Sequence, residues 1–293
     1  LKFLKDISHI VYHIAVVVMS AAVALSLPFT VRFIAKKFLD YWALIENEKI
    51  FLVSIEIASA VLLILLFNTL VKGLKSRKLL KMAEEAGLHS MGRSGRRLDR
   101  TRLKKLKEKN GFGRNIMLIG STGHTTFVDP AGDLHQVLRK CREAKIMLLD
   151  PSGDGAGARS RSIQSPDINT ENFRRQIIGS IEFLKELKAS QKDIRLKLYR
   201  ELPFLKLAIL GDYVFLRHYH PGVDVQQLPE YVFRHGRNPG CLYNPFYQYF
   251  LDRWHDVEAP EYDLKTDELV YRDKSGNEMR REKFGRWETA QAA

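Results

Sequence analysis

A chain of 293 residues is long enough for one soluble domain plus an appended module, and too short for several independent cores. Its net charge of +13 points to an acidic partner, whether anionic lipid, nucleic acid or another subunit. The only two cysteines, Cys141 and Cys241, lie far apart and match no metal-ligand spacing, so neither a disulfide framework nor a zinc site is indicated, and no cofactor is expected.

From Ile7 to Val31 no Asp, Glu, Lys or Arg interrupts a run dense in Val, Ala, Leu and Ile. Such a run can cross a hydrocarbon core of about 30 Å. A cleaved signal peptide is the competing reading, but the run exceeds a typical h-region and a second apolar run, Ile50 to Val71, follows closely. Two transmembrane helices are therefore expected within a hairpin over 1–75. Glu56 in the second run reads as an interfacial or helix-packing carboxylate, with a proton relay as the alternative. His9 and His13, one turn apart, read as packing or interfacial residues in preference to haem or metal ligands. Lys72, Lys75, Arg77, Lys78 and Lys81 follow the second run, whereas the loop between the runs mixes both signs. The positive-inside rule then predicts both termini and the soluble domain on the cytoplasmic side.

A basic juxtamembrane linker is expected over 76–114. Between Met91 and Arg114 it carries ten Lys or Arg residues, among them Arg96, Arg97, Arg100, Lys104 and Lys105, against only Asp99 and Glu108. Contact with anionic headgroups is the expected role, at roughly 1 kcal/mol per basic residue that reaches the surface. Nucleic-acid binding ranks below it, because no aromatics are interleaved and no recognised motif is present.

An α/β domain is expected over 115–257. Asn115 to Ser121 reads as a buried strand ending in a Ser121-Thr122-Gly123 turn, Asp133 to Glu143 as a helix burying Leu134, Val137, Leu138 and Cys141, and Lys145 to Leu149 as a second strand, parallel to the first. The segment SGDGAGARSRSIQSPDIN reads as an irregular loop. Phe173, Ile177, Ile181, Leu184 and Leu187 form the apolar stripe of a helix from Thr170 to Ala189. Strands follow at 194–198, 207–210 and 213–219, the last two joined as a hairpin by Gly211-Asp212, so a mixed sheet is expected. An aromatic helix over 243–255 closes the domain, and 258–293 reads as a tail with a short hairpin around Ser275-Gly276-Asn277.

The order of these elements, with the phrases IMLIGSTGHTTF, AKIMLLDP and LPFLKLAILGDYVFLRHY, resembles the phospholipase D-like domain over roughly Asn115 to Val257. That family's signature is His-x-Lys, four residues, then Asp, in which the histidine attacks phosphorus and the lysine neutralises phosphate charge. Aligned on Lys206, the histidine position holds Phe204 and the aspartate position Gly211; Asp212 is one residue out of register. The family also needs two motifs, and one degenerate copy is present. With the apolar runs as an anchor, what the resemblance implies is a membrane-anchored, non-catalytic binding or scaffold module, one subunit of a larger membrane complex, with a protein partner or a second copy beside it. The alternative is a phosphodiesterase or phospholipid-processing enzyme.

In that alternative His218 and His220, which alternate with Arg217 and Tyr219 and share a strand face, replace the nucleophile beside Lys206. Lys206, Arg159, Arg161 and Arg217 are the expected phosphate ligands, assisted by backbone amides of Ser121, Thr122 and Gly123 and of the Gly153 to Gly157 loop. His124 and Asp129 stand near the end of the first strand, where open parallel sheets place ligands.

Overall fold

The computed structural model describes residues 18, 29, 31–41, 49–93, 96–163, 169–273 and 275–285. It divides into two compact units, 1–77 and 78–293.

In the first unit residues 31–41 are helical, and helix α1 (Lys49–Glu85) begins. The stretch Val53–Glu85 is the one helix among the described residues that is long and apolar enough to cross a membrane. Leu62, Leu63, Ile64, Leu65 and Phe67 are all exposed, so the helix is apolar on every side, as a lipid-facing helix is. Glu56 is exposed near its start. The other expected span, Ile7 to Val31, lies outside the described residues apart from Val18, Phe29 and Val31, and so do His9 and His13.

A ten-stranded mixed sheet organises the second unit, in the order β1-β7-β6-β5-β2-β3-β4-β8-β9-β10. The strands are β1 (Leu88–Gly92), β2 (Asn115–Ile119), β3 (Glu143–Leu149), β4 (Asp193–Tyr199), β5 (Leu205–Leu210), β6 (Tyr213–His218), β7 (Glu230–Arg234), β8 (Glu261–Asp263), β9 (Glu268–Arg272) and β10 (Glu278–Lys283). Only β2, β3 and β4 run parallel; every other pairing is antiparallel. The parallel strands are the near-continuous apolar runs, since both their faces are covered: Ile146 to Leu149 are all fully buried.

The helices are α2 (Arg97–Gly111), α3 (His135–Lys140), α4 (Asp154–Ser162), α5 (Thr170–Ala189) and α6 (Tyr243–Trp254), with a π-helical turn at His124–Val128. On one sheet face Lys107 of α2 lies over the Phe215 ring. On the other, Phe246 of α6 packs on Phe233. Helix α5 buries the whole expected stripe, each residue contributing about 1.5–3 kcal/mol, and Asn169 caps it by accepting the Asn172 N–H at 2.7 Å.

Three expectations are corrected. The stretch 76–114 is not a linker: β1 pairs with β7, and α2 packs on the sheet through Leu103, Lys107, Asn110 and Gly111, whose spacing of three and four gathers them on one side beneath a basic outer face. The glycine-rich loop forms α4, because small residues let it press on the strand exit; the Gly155 N–H donates to Arg200 O at 3.0 Å, and a Cβ there would stand 2.9 Å from Glu201 O. The tail is no appendix: β8 pairs with β4 and extends the sheet, and the expected hairpin is β9 with β10, turning at Gly276 with φ +85°.

Candidate functional site

Strand alternation fixes which side chains meet. Lys206 on β5 sits opposite Arg217 on β6, so both point to the face covered by α2. His218 lies on the reverse face and is exposed. His220 is past the strand end, where its ring bonds Pro221 O at 2.7 Å and its carbonyl accepts from Arg159. The replacement nucleophile that the enzymatic alternative requires is thus not brought to Lys206 by either histidine.

Lys206 is 9% exposed and donates to Thr126 Oγ1 at 2.6 Å. Beside it, Lys107 is ion-paired to Asp133 and, at 2.7 Å, to Glu230. Glu230 also faces Arg217 at 3.5 Å. Arg217 Nη1 donates to Gln226 Oε1 at 2.8 Å and to Val225 O at 3.3 Å, while its buried Nε has no hydrogen-bond partner among the described residues. Three cations and two carboxylates are thereby packed under α2.

Their titration follows from burial and from one another. Burial pushes the Lys206 ammonium down to about 8; Asp133 opposes this and the cations of Arg217 and Lys107 add to it. For Asp133, burial disfavours the charge, but Lys107, Lys206 and Arg217 outweigh it and hold the carboxyl well below the usual range. Burial also works against Lys107, and Asp133 and Glu230 overcome it and raise its pKa.

Asp133, Arg217 and Glu230 of this cluster line a cleft of about 360 Å³, a size suited to a small ligand. Arg93, Arg96, Arg97 and Arg100 line it together with Arg217; Thr125, Asp129, Gln226, Asp133 and Glu230 complete the polar wall, with Gly92, Leu103 and Leu228 between. Helix α2 starts here without a side-chain cap at Arg96, so its first-turn N–H groups add positive potential. At Gly92 a Cβ would collide with Leu103 Cδ1, so any side chain there requires Leu103 to shift.

Of the expected phosphate ligands, Lys206 and Arg217 come together and only Arg217 lines the cleft. Arg159 is buried as a clamp, donating to Ser162 Oγ, His220 O and Val223 O and stacking 4.9 Å from the Tyr219 ring. Arg161 is exposed on α4. The Ser121 N–H is taken by Tyr219 Oη at 2.8 Å, Thr122 is buried, and Gly123, at φ +77°, starts the π-helical turn. The Gly153 and Gly155 amides donate to Asp150 O and Arg200 O and are therefore engaged within the protein.

Arg96, Arg97 and Arg100, expected to touch the membrane surface, line the cleft; Lys105 is exposed, and Lys104 Nζ reaches Ala131 O at 3.4 Å. Lys107 and Glu230, 123 positions apart, were not legible as a pair. A partial signal existed for Lys107, which stands four residues after Leu103 on the apolar side of its helix. No group of three or more His, Cys, Asp or Glu suited to a metal occurs among the described residues.

No protein-family model and no curated protein matches the chain. Among solved structures, TrmBL2, an archaeal chromatin protein with a novel mode of DNA binding, is similar at a TM-score of 0.36 and 13% identity, covering 66% of this chain. The chain spans 63% of that protein, less than two thirds. At that score the likeness carries no argument about this chain.

Proposed function

We propose that the chain is a membrane-anchored, phospholipase D-like module that binds a phosphate-bearing ligand without hydrolysing it. One observation carries the reading: Arg93, Arg96, Arg97 and Arg100 line a ligand-sized cleft together with Arg217, which is paired across the hairpin with the buried Lys206, while His218 stands on the opposite sheet face. Guanidinium forks suit phosphate oxygens, and four of these arginines, Arg93, Arg96, Arg97 and Arg100, are exposed and so open to a ligand arriving from solvent. A hydrolytic step would instead need a nucleophile within reach of the phosphate bound in the cleft.

In this reading α1 and a first span over 7–31 anchor the module, the soluble domain stands on the cytoplasmic side next to anionic headgroups, and a protein partner or second copy completes a larger assembly. Lys105 and Lys109, both exposed on α2, supply charge for the headgroups.

The test is a phosphodiesterase assay on the detergent-purified full chain, with a chromogenic phosphodiester and with phospholipid, beside Lys206→Ala and the double change His218→Ala, His220→Ala. No turnover above buffer is expected in any of them. Turnover by the unmodified chain that either variant abolishes overturns the reading in favour of a phosphodiesterase.

A further inference from the structure

The two walls of the cleft differ in chemistry. One is cationic, formed by Arg93, Arg96, Arg97 and Arg100 around the start of α2. The other is rich in acceptors. Of its three carboxylates, Asp133 and Glu230 are ion-paired, whereas Asp129 forms no salt bridge among the described residues. Asp129 Oδ1 accepts the Ala131 N–H at 2.8 Å, which orients the carboxylate and leaves it a second oxygen. Next to it Gln226 bonds both Thr125 Oγ1 at 3.0 Å and Arg217 at 2.8 Å, so that wall is held in place.

An unneutralised carboxylate repels a bare phosphate, and its presence in the wall of an anion site is unfavourable unless the ligand brings hydrogen-bond donors. Hydroxyl groups are neutral donors that a carboxylate accepts strongly and that an arginine wall does not select. We infer that the ligand is a phosphate ester of a polyol, with its phosphate against Arg96, Arg97, Arg100 and Arg217 and its hydroxyls on Asp129 and the Thr125–Gln226 pair. This rests on the phosphate-binding reading above and names the ligand class for the same site. Both a soluble polyol phosphate and the headgroup of an inositol lipid offer this chemistry.

The test uses the full chain in phosphatidylcholine nanodiscs, titrated calorimetrically with myo-inositol 1-phosphate and with methyl phosphate, which lacks the hydroxyls. The inositol ester should bind about tenfold more tightly, the ratio that one charge-assisted hydrogen bond sustains. Asp129→Asn keeps the turn oxygen and removes the charge, so it should bring the ratio towards one while methyl phosphate binds at least as well as before. Arg100→Gln should weaken both ligands. Equal affinity for both esters in the unmodified chain overturns the polyol assignment and leaves the phosphate site standing; no binding of either overturns both. Replacing part of the phosphatidylcholine by phosphatidylinositol or, at equal charge, phosphatidylserine separates the sources. Loss of soluble-ligand binding with phosphatidylinositol alone supports a lipid headgroup, retention with both supports a soluble ester, and equal loss with both overturns recognition of the polyol.

Discussion

Lys206 is buried with Thr126 as its hydrogen-bond acceptor, between two further cations, an arrangement that costs stability. Its folded value of about 8 lies below the ordinary 10.5, so the native state sheds this proton before the unfolded chain does. The cost is fully present below pH 8 and is relieved as pH rises towards 10.5. Across that window the fold should gain about 3 kcal/mol from this group. Lys206→Met should therefore match or exceed the parent in urea denaturation at pH 7, and should lose this rise in stability with pH. A variant much less stable than the parent at pH 7 would show that the Lys206 cation supports the fold.

At the scale of elements, α2 supplies both the lid of the buried charge cluster and the arginines of the cleft. Its position depends on Gly92, where no side chain separates β1 from Leu103. Gly92→Ala should cost about 1–3 kcal/mol through overpacking. If Leu103 carries α2 with it as it yields, the change should also weaken phosphate-ester binding, although residue 92 brings no charge to the ligand. Thermal unfolding and calorimetry of the same preparation check the two effects together. Unchanged affinity at reduced stability would mean that the arginines reach the ligand independently of how α2 is seated.

For the whole molecule, Val53–Glu85 has the length and hydropathy of a span, and its apolar side chains are exposed all round. In water such a surface would drive association, and the proposed membrane anchor is the reading in which a bilayer covers it. The full chain should remain in the membrane pellet after alkaline carbonate extraction and enter solution only with detergent. Release by carbonate alone would reduce the anchor to a peripheral attachment. Net charge of +13 adds an ionic-strength dependence: affinity of the cleft for phosphate esters should fall as salt screens its arginines.

Much of the fold follows from local pattern. The stripe Phe173 to Leu187 has helical spacing and formed a helix over the expected residues, and Gly211 with Asp212 between two apolar runs formed the β5–β6 hairpin. The alternation around Arg217 likewise determined that His218 and Arg217 face opposite ways. Local pattern failed where small residues and charge hid a packed face: α4 reads as loop because its glycines earn their place only against Arg200 and Glu201, which arrive from β4. Helix α2 reads as linker because its few buried side chains are outnumbered by its solvated cations. The site is the clearest division. That Lys206 and Arg217 come together was legible from the sequence, since a hairpin pairs them locally; Lys107, Asp133 and Glu230 join them only through contacts spanning up to 123 positions, and no local periodicity encodes a contact of that separation.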